Sequence, residues 1–129
     1  MQYLAGTDSV HTTAAICDYL EGRATGDDAV TVVAVAPADD PTARRDCEEA
    51  LNVAPVRLAT VGDVETEVRT GSPVAQLRDA AAESSADELV VGAHGGDPET
   101  TRELGSTTRG LLADADADRP VVVVPIPDL

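Results

Sequence analysis

Ala29-Val30-Thr31-Val32-Val33-Ala34-Val35-Ala36 is the run whose reading decides the fold. It is rich in β-branched residues and reads as a strand. A strand with one wet face alternates apolar and polar side chains. This one is continuously apolar from Val30 to Ala36 but for Thr31, so both its faces are buried, as in a parallel sheet covered by helices. Parallel neighbours need crossover connections, usually helical, and the sequence on either side supplies them.

Upstream, Gln2 to Thr7 reads as a first strand, and about Val10 to Glu21 as a helix stopped by Gly22. Downstream, Asp40 and Pro41 form an N-cap with proline at the first helical position. They open a helix that carries Cys47, Ala50 and Leu51. Ala54, Leu58 and Val61 continue its apolar stripe, while Pro55 breaks or restarts it. Val64 to Arg69 alternates Val, Glu, Thr, Glu, Val, Arg, the pattern of a strand near an edge with one wet face. Ser72 and Pro73 repeat the cap signature and open a helix through about Ser84, with Leu77, Ala80 and Ala81 as its stripe. Glu88 to Gly92 is a short buried strand, Ala93 to Leu104 a polar loop, and about Ser106 to Ala115 a helix. Pro120 and Pro125 enclose Val121 to Val124 as the last strand. Five strands alternating with four helices predict an α/β, doubly wound, Rossmann-like sheet, with the strand order left open by the alternation itself. No repeat or linker interrupts it, and 129 residues suit one domain able to bury roughly two thirds of its unfolded surface.

The core must be built of Val, Ala and Leu, because the chain has no Phe or Trp and only two tyrosines, Tyr3 and Tyr19. Cofactors held by ring stacking are poorly served. All nine basic residues are Arg, against 24 acidic ones, for a net charge of -15. Such a surface repels nucleic acid and anionic lipid, and a chain without Lys has no Walker A or Schiff-base lysine. The excess suits a halophilic setting, where at about 1 M salt a Debye length of about 3 Å screens self-repulsion. Cys17 and Cys47, on separate helices, are expected to be free packed thiols. No apolar run approaches the ~18 residues that cross a bilayer, which points to the cytosol.

Ligands of open α/β sheets sit outside the C-terminal ends of the strands, where the strand order reverses. The strand exits are therefore the candidates: Asp8 after the first strand, Pro37 to Asp40 after the second, and Ala93 to Thr108 after the fourth. The last is the longest and ends at a helix start. Gly105, Ser106, Thr107 and Thr108 are small enough to let an anion reach amides without an intrahelical partner, which makes a phosphate site that needs no lysine. Each residue has a plainer reading too. Asp8 or Ser9 caps the first helix, His94 is a solvated loop histidine, and the glycines serve as turn residues. Asp114, Asp116 and Asp118 have the spacing of a calcium loop, but Arg119 and Pro125 stand where its Gly and Glu belong, so the run reads as a hydrated helix end.

Gly92, two residues, Gly95, nine residues, Gly105 and Ser106 is the spacing by which ATP-binding members of the universal stress protein family are recognised. Leu4 to Asp8 resembles that family's first strand, Gly71-Ser72-Pro73 its third helix start, and Pro120 to Pro125 its closing strand. The resemblance implies the sheet order 3-2-1-4-5. It also implies an ATP site in which Asp8 and the backbone near Val35 face adenine and ribose, Gly92 and Gly95 admit ribose and α-phosphate, and Gly105 to Thr108 hold the outer phosphates. Mg²⁺ would bridge those phosphates, with His94 beside them. A homodimer joined through Val121 to Val124 is implied as well, and would cover an apolar sheet edge. The chain departs from the family where Arg often follows the second glycine: it has Gly96, then Asp97 and Glu99, with Arg102 or a metal near Asp97 as candidates to compensate. The function expected is an ATP-responsive stress or regulatory protein with at most slow hydrolysis, since no general base, lysine or arginine finger stands ready. The alternative is a dimeric interaction module of the same fold that binds no nucleotide.

Overall fold

The computed structural model describes residues 1–94, 104–113 and 119–126. Five parallel strands, β1 (Gln2–Thr7), β2 (Ala29–Ala36), β3 (Asp63–Thr70), β4 (Glu88–Gly92) and β5 (Val121–Val124), form one sheet of order β3-β2-β1-β4-β5. This is the doubly wound α/β architecture expected. Helices α1 (Val10–Glu21), α2 (Pro41–Leu51), α3 (Val53–Arg57), α4 (Pro73–Glu83) and α5 (Ser106–Leu112) make the four crossovers, with α2 and α3 sharing the second.

β2 lies between β1 and β3 and is buried on both faces, as its composition requires. Val30, Val32, Ala34 and Ala36 point to one layer, where they meet Ile16 and Leu20 of α1, Cys47 and Leu51 of α2 and Ala54 of α3. Val33 points to the other, with Leu4, Leu89, Leu77 and Ala81 of α4 and Leu111 of α5. Each fully buried Val or Leu contributes about 1.5–3 kcal/mol by leaving water. β3 is an edge strand with a largely exposed pattern, matching its charged alternation.

The helix starts follow local chemistry. The Asp40 carboxylate accepts from the Ala43 amide at 2.9 Å, with Pro41 in the first turn. α1 is capped by Ser9, whose hydroxyl accepts from the Thr12 amide at 3.1 Å, which settles the choice between Asp8 and Ser9. Ser72 precedes α4 without a side-chain cap bond; its entry turn rests on Gly71, whose φ of +126° favours glycine. The second crossover breaks at Asn52, three residues before Pro55. Pro55 has no amide to give the Leu51 carbonyl and its ring crowds that oxygen, so α2 stops there. Pro55 then sits in the first turn of α3, where no amide partner is needed. Leu58 and Val61 follow α3 in a turn yet stay buried, so the stripe read there is real although the helix is not continuous. α5 ends at Leu112, earlier than the helix expected to Ala115.

Cys17 and Cys47 are free and buried, and burial pushes the Cys17 thiol up to about 11. Among the described residues no helix is long and apolar enough to cross a membrane. The aspartate run at 114, 116 and 118 and most of the polar segment, 95–103, lie outside the described residues.

The turn before β3 depends on the absence of a side chain at Gly62, where a Cβ would come 2.3 Å from the Gly26 carbonyl oxygen and 2.8 Å from that of Asp28. Both neighbours are backbone and cannot step aside. Gly62→Ala is expected to cost about 1–3 kcal/mol in denaturant unfolding. Gly22→Ala, at φ -86° with its nearest neighbour 3.8 Å away, is expected to leave stability unchanged or slightly raised. Equal midpoints for Gly62→Ala and the parent would contradict this packing.

Candidate functional site

β1 pairs with β2 on one side and β4 on the other, so the crossovers leaving β1 and β4 go to opposite faces of the sheet. The C-terminal ends of these two strands diverge into a crevice, the place where open sheets of this kind bind ligands. A cavity of about 300 Å³ opens there, toward the small end of the range for ligand sites. Its apolar walls include Val33 and Val35 of β2, Val91 of β4 and Leu77 of α4. Asp8, His94, Ser106 and Thr107 contribute polar side chains.

Eight of the nine residues singled out in the sequence meet at this cavity: Asp8, Val35, Gly92, His94, Gly105, Ser106, Thr107 and Thr108. The ninth, Gly95, lies outside the described residues, as do Asp97, Glu99 and Arg102. Thr12, Gly6, Pro73 and Leu77 also line it and were not anticipated. Gly6 lies in register between Val33 and Val91. A Cβ there would sit 2.8 Å from Leu77, so a glycine at the centre of the sheet lets α4 close the cavity floor. A glycine late in a central strand is the one sequence signal that pointed to it.

Asp8 is exposed at the rim. Its Oδ1 accepts a 2.7 Å hydrogen bond from the Thr12 hydroxyl, which in turn accepts from the Ser9 hydroxyl at 3.1 Å. Beneath them Thr7 and Thr13 share a buried hydroxyl contact of 2.7 Å, and both donate to the Ser9 carbonyl. The exit of β1 is thus a knot of hydroxyls that orients the Asp8 carboxylate toward the crevice.

At the opposite rim, the Gly105 amide donates to the Ala93 carbonyl at 2.9 Å, holding the start of α5 against the end of β4. Gly105 has φ -64° and ψ 159°, a conformation open to any residue, so glycine is not required there by the backbone. The Thr108 side chain is turned inward: its hydroxyl donates 2.7 Å to the Gly92 carbonyl and the residue is 4% exposed. That hydroxyl proton is committed to the fold. The space beside Gly92 is committed too, because a Cβ there would meet Ile126 at 2.9 Å and Thr12 at 3.1 Å. Ser106 and Thr107 are the hydroxyls of this stretch that lie exposed or half-exposed at the cavity. Among the described residues no group of three His, Cys, Asp or Glu side chains gathers to hold a metal ion.

A parallel sheet of order 3-2-1-4-5 with a lined crevice at its reversal defines a doubly wound α/β domain of the ligand-binding kind. The chain belongs to the universal stress protein family, whose family model matches residues 23–125. No curated protein matches the sequence. In fold the chain is similar to a universal stress protein in complex with cAMP, at 22% identity and a TM-score of 0.66 over 98% of each chain. It is similar also to the universal stress protein from Archaeoglobus fulgidus in complex with dAMP, at 18% identity and a TM-score of 0.69 over 96% of this chain and 97% of that one. A universal stress protein family protein from Arabidopsis thaliana with AMP bound gives 13% identity and a TM-score of 0.69, covering 98% and 92%.

The Thr108 to Gly92 bond is the joint between α5 and β4. Thr108→Val keeps the shape and leaves a buried carbonyl without its donor, an expected loss of about 1–3 kcal/mol by denaturant titration. Unchanged stability would show that the joint is held by packing alone.

Proposed function

We propose that the crevice between β1 and β4 binds an adenine nucleotide and that the protein acts as a nucleotide-responsive regulator. The observation that carries this reading is the cavity itself, where Asp8, the end of β4 and the start of α5 converge at the strand-order reversal. The base lies against Val33, Val35 and Leu77, with Asp8 toward the ribose. The phosphate end lies along Ser106 and Thr107 and the amides of the first turn of α5, which accept an anion without a lysine. The complexes of related proteins with cAMP, dAMP and AMP support an adenine compound as the ligand class. The glycine spacing shared with ATP-binding members extends the proposal to ATP. Mg²⁺ would enter bridging its phosphates, because the described residues gather no metal site of their own.

Turnover is slow at most. The described cavity presents no arginine, and the chain contains no lysine to stabilise charge on a transferring phosphoryl group. We place the protein in the cytosol as one nucleotide-binding domain, in which an occupied crevice changes the surface offered to a partner. The reading that the domain binds no nucleotide and serves only as an interaction module has no observation in its favour that the nucleotide reading lacks.

Two measurements test this. Protein denatured after purification in molar KCl should release adenine nucleotide, and isothermal titration of the emptied protein with AMP and ATP should show binding. Gly105→Glu puts bulk and charge at the phosphate end without straining the backbone, given φ -64°. It should weaken nucleotide binding at least about tenfold, while Gly105→Ala should not; a Gly105→Glu variant that binds as the parent does removes the site assignment.

We also propose a homodimer through β5, an edge strand whose Val121 to Val123 are only half-buried. Light scattering in molar KCl should give twice the chain mass. Val123→Asp should shift it toward the single-chain mass; a monomeric parent would refute the interface.

A further inference from the structure

We infer that the crevice selects an adenine nucleoside or nucleoside monophosphate over the di- and triphosphates, and that accumulated negative charge sets this order. The inference rests on the adenine reading above and specifies its ligand class. The cavity walls suit a flat neutral base: Val33, Val35, Val91 and Leu77. The polar rim suits little charge. Its hydroxyls at Ser106 and Thr107 are neutral donors, and that of Thr108 is already given to the Gly92 carbonyl. The imidazole of His94 is the one basic side chain among the described lining residues, and the Asp8 carboxylate stands across from it.

The surroundings push the same way. The chain carries -15 overall with no lysine, and between His94 and Leu104 its sequence adds Asp97, Glu99 and Glu103 against Arg102 alone. A monophosphate can be met by neutral donors at one end of a cavity of about 300 Å³. Each further phosphate extends a more highly charged chain toward a rim with no described cationic side chain but the His94 imidazole to pair with it. Repulsion by the field of the whole protein then grows with phosphate number.

Because that repulsion is electrostatic and reaches through solvent, it carries a salt signature. At about 0.1 M salt the Debye length is about 10 Å and the discrimination is expressed; at about 1 M it is about 3 Å and most of it is screened. ATP affinity therefore rises with KCl while adenosine affinity changes little.

Adenosine, AMP, ADP and ATP, each titrated calorimetrically with EDTA present, test the inference. The lowest KCl concentration at which circular dichroism shows the fold intact is used, and then 2 M KCl. Adenosine and AMP are expected to bind at least about tenfold tighter than ATP in the low-salt series, with the gap closing to within about threefold at high salt. Ser106→Lys, a cation placed at an exposed rim position, should move the ATP-to-AMP affinity ratio at least about tenfold toward ATP in the low-salt series. ATP binding as tightly as AMP to the parent at low salt, or a Ser106→Lys ratio equal to the parent's, overturns the inference while leaving adenine recognition standing. Binding of none of the four compounds overturns both.

Discussion

The pairing of β1 with β4 is the contact on which the rest of the molecule depends. The two strands are separated in sequence by β2, β3 and their crossovers, yet Gly6 and Val91 lie side by side in the sheet. This arrangement sends the helices that follow β1 and β2 to one face and those that follow β3 and β4 to the other. Their divergence leaves the only kind of gap a well-packed parallel sheet tolerates, at the carboxyl ends of its strands. The hydroxyl knot at Asp8, the floor made by Leu77 and the α5 joint at Thr108 are ways of finishing that gap.

Most of the architecture was legible because its signals are local. An aspartate before a proline caps a helix whatever surrounds it, and Asp40 does so here. The uninterrupted apolar character of β2 requires cover on both faces and receives it. The position of the break in the second crossover was harder to place, because a proline acts on the carbonyl four residues earlier as well as at its own position. Strand order came from family resemblance and not from the pattern, since alternation of elements is compatible with several orders.

Within the crevice, the sequence marked which backbone segments converge but not what their side chains do there. Gly92 looked like room for a ligand; the room is occupied by Ile126 and Thr12 from distant parts of the chain. Thr108 looked like a hydroxyl donor to a phosphate, and its proton goes to a main-chain oxygen sixteen residues away in sequence. Thr12 gave no sign of holding Asp8 beyond being four residues downstream on a helix. These are tertiary commitments, and a one-dimensional pattern has no term for them. The acidic composition, by contrast, is visible from the first count of residues, and in the folded molecule it becomes a constraint on the ligand.

The hydrogen bond between the Gly105 amide and the Ala93 carbonyl clasps the two ends of the connection that runs from β4 to α5. With both ends anchored, the strand and the helix do not depend on how many residues are threaded between them. Doubling the length of such a flexible connection adds only about 0.6 kcal/mol of closure entropy. The stretch from residue 94 to 104 is in this sense an interchangeable part: its length and chemistry can be rewritten by evolution or by a designer, with the scaffold on either side left as it is.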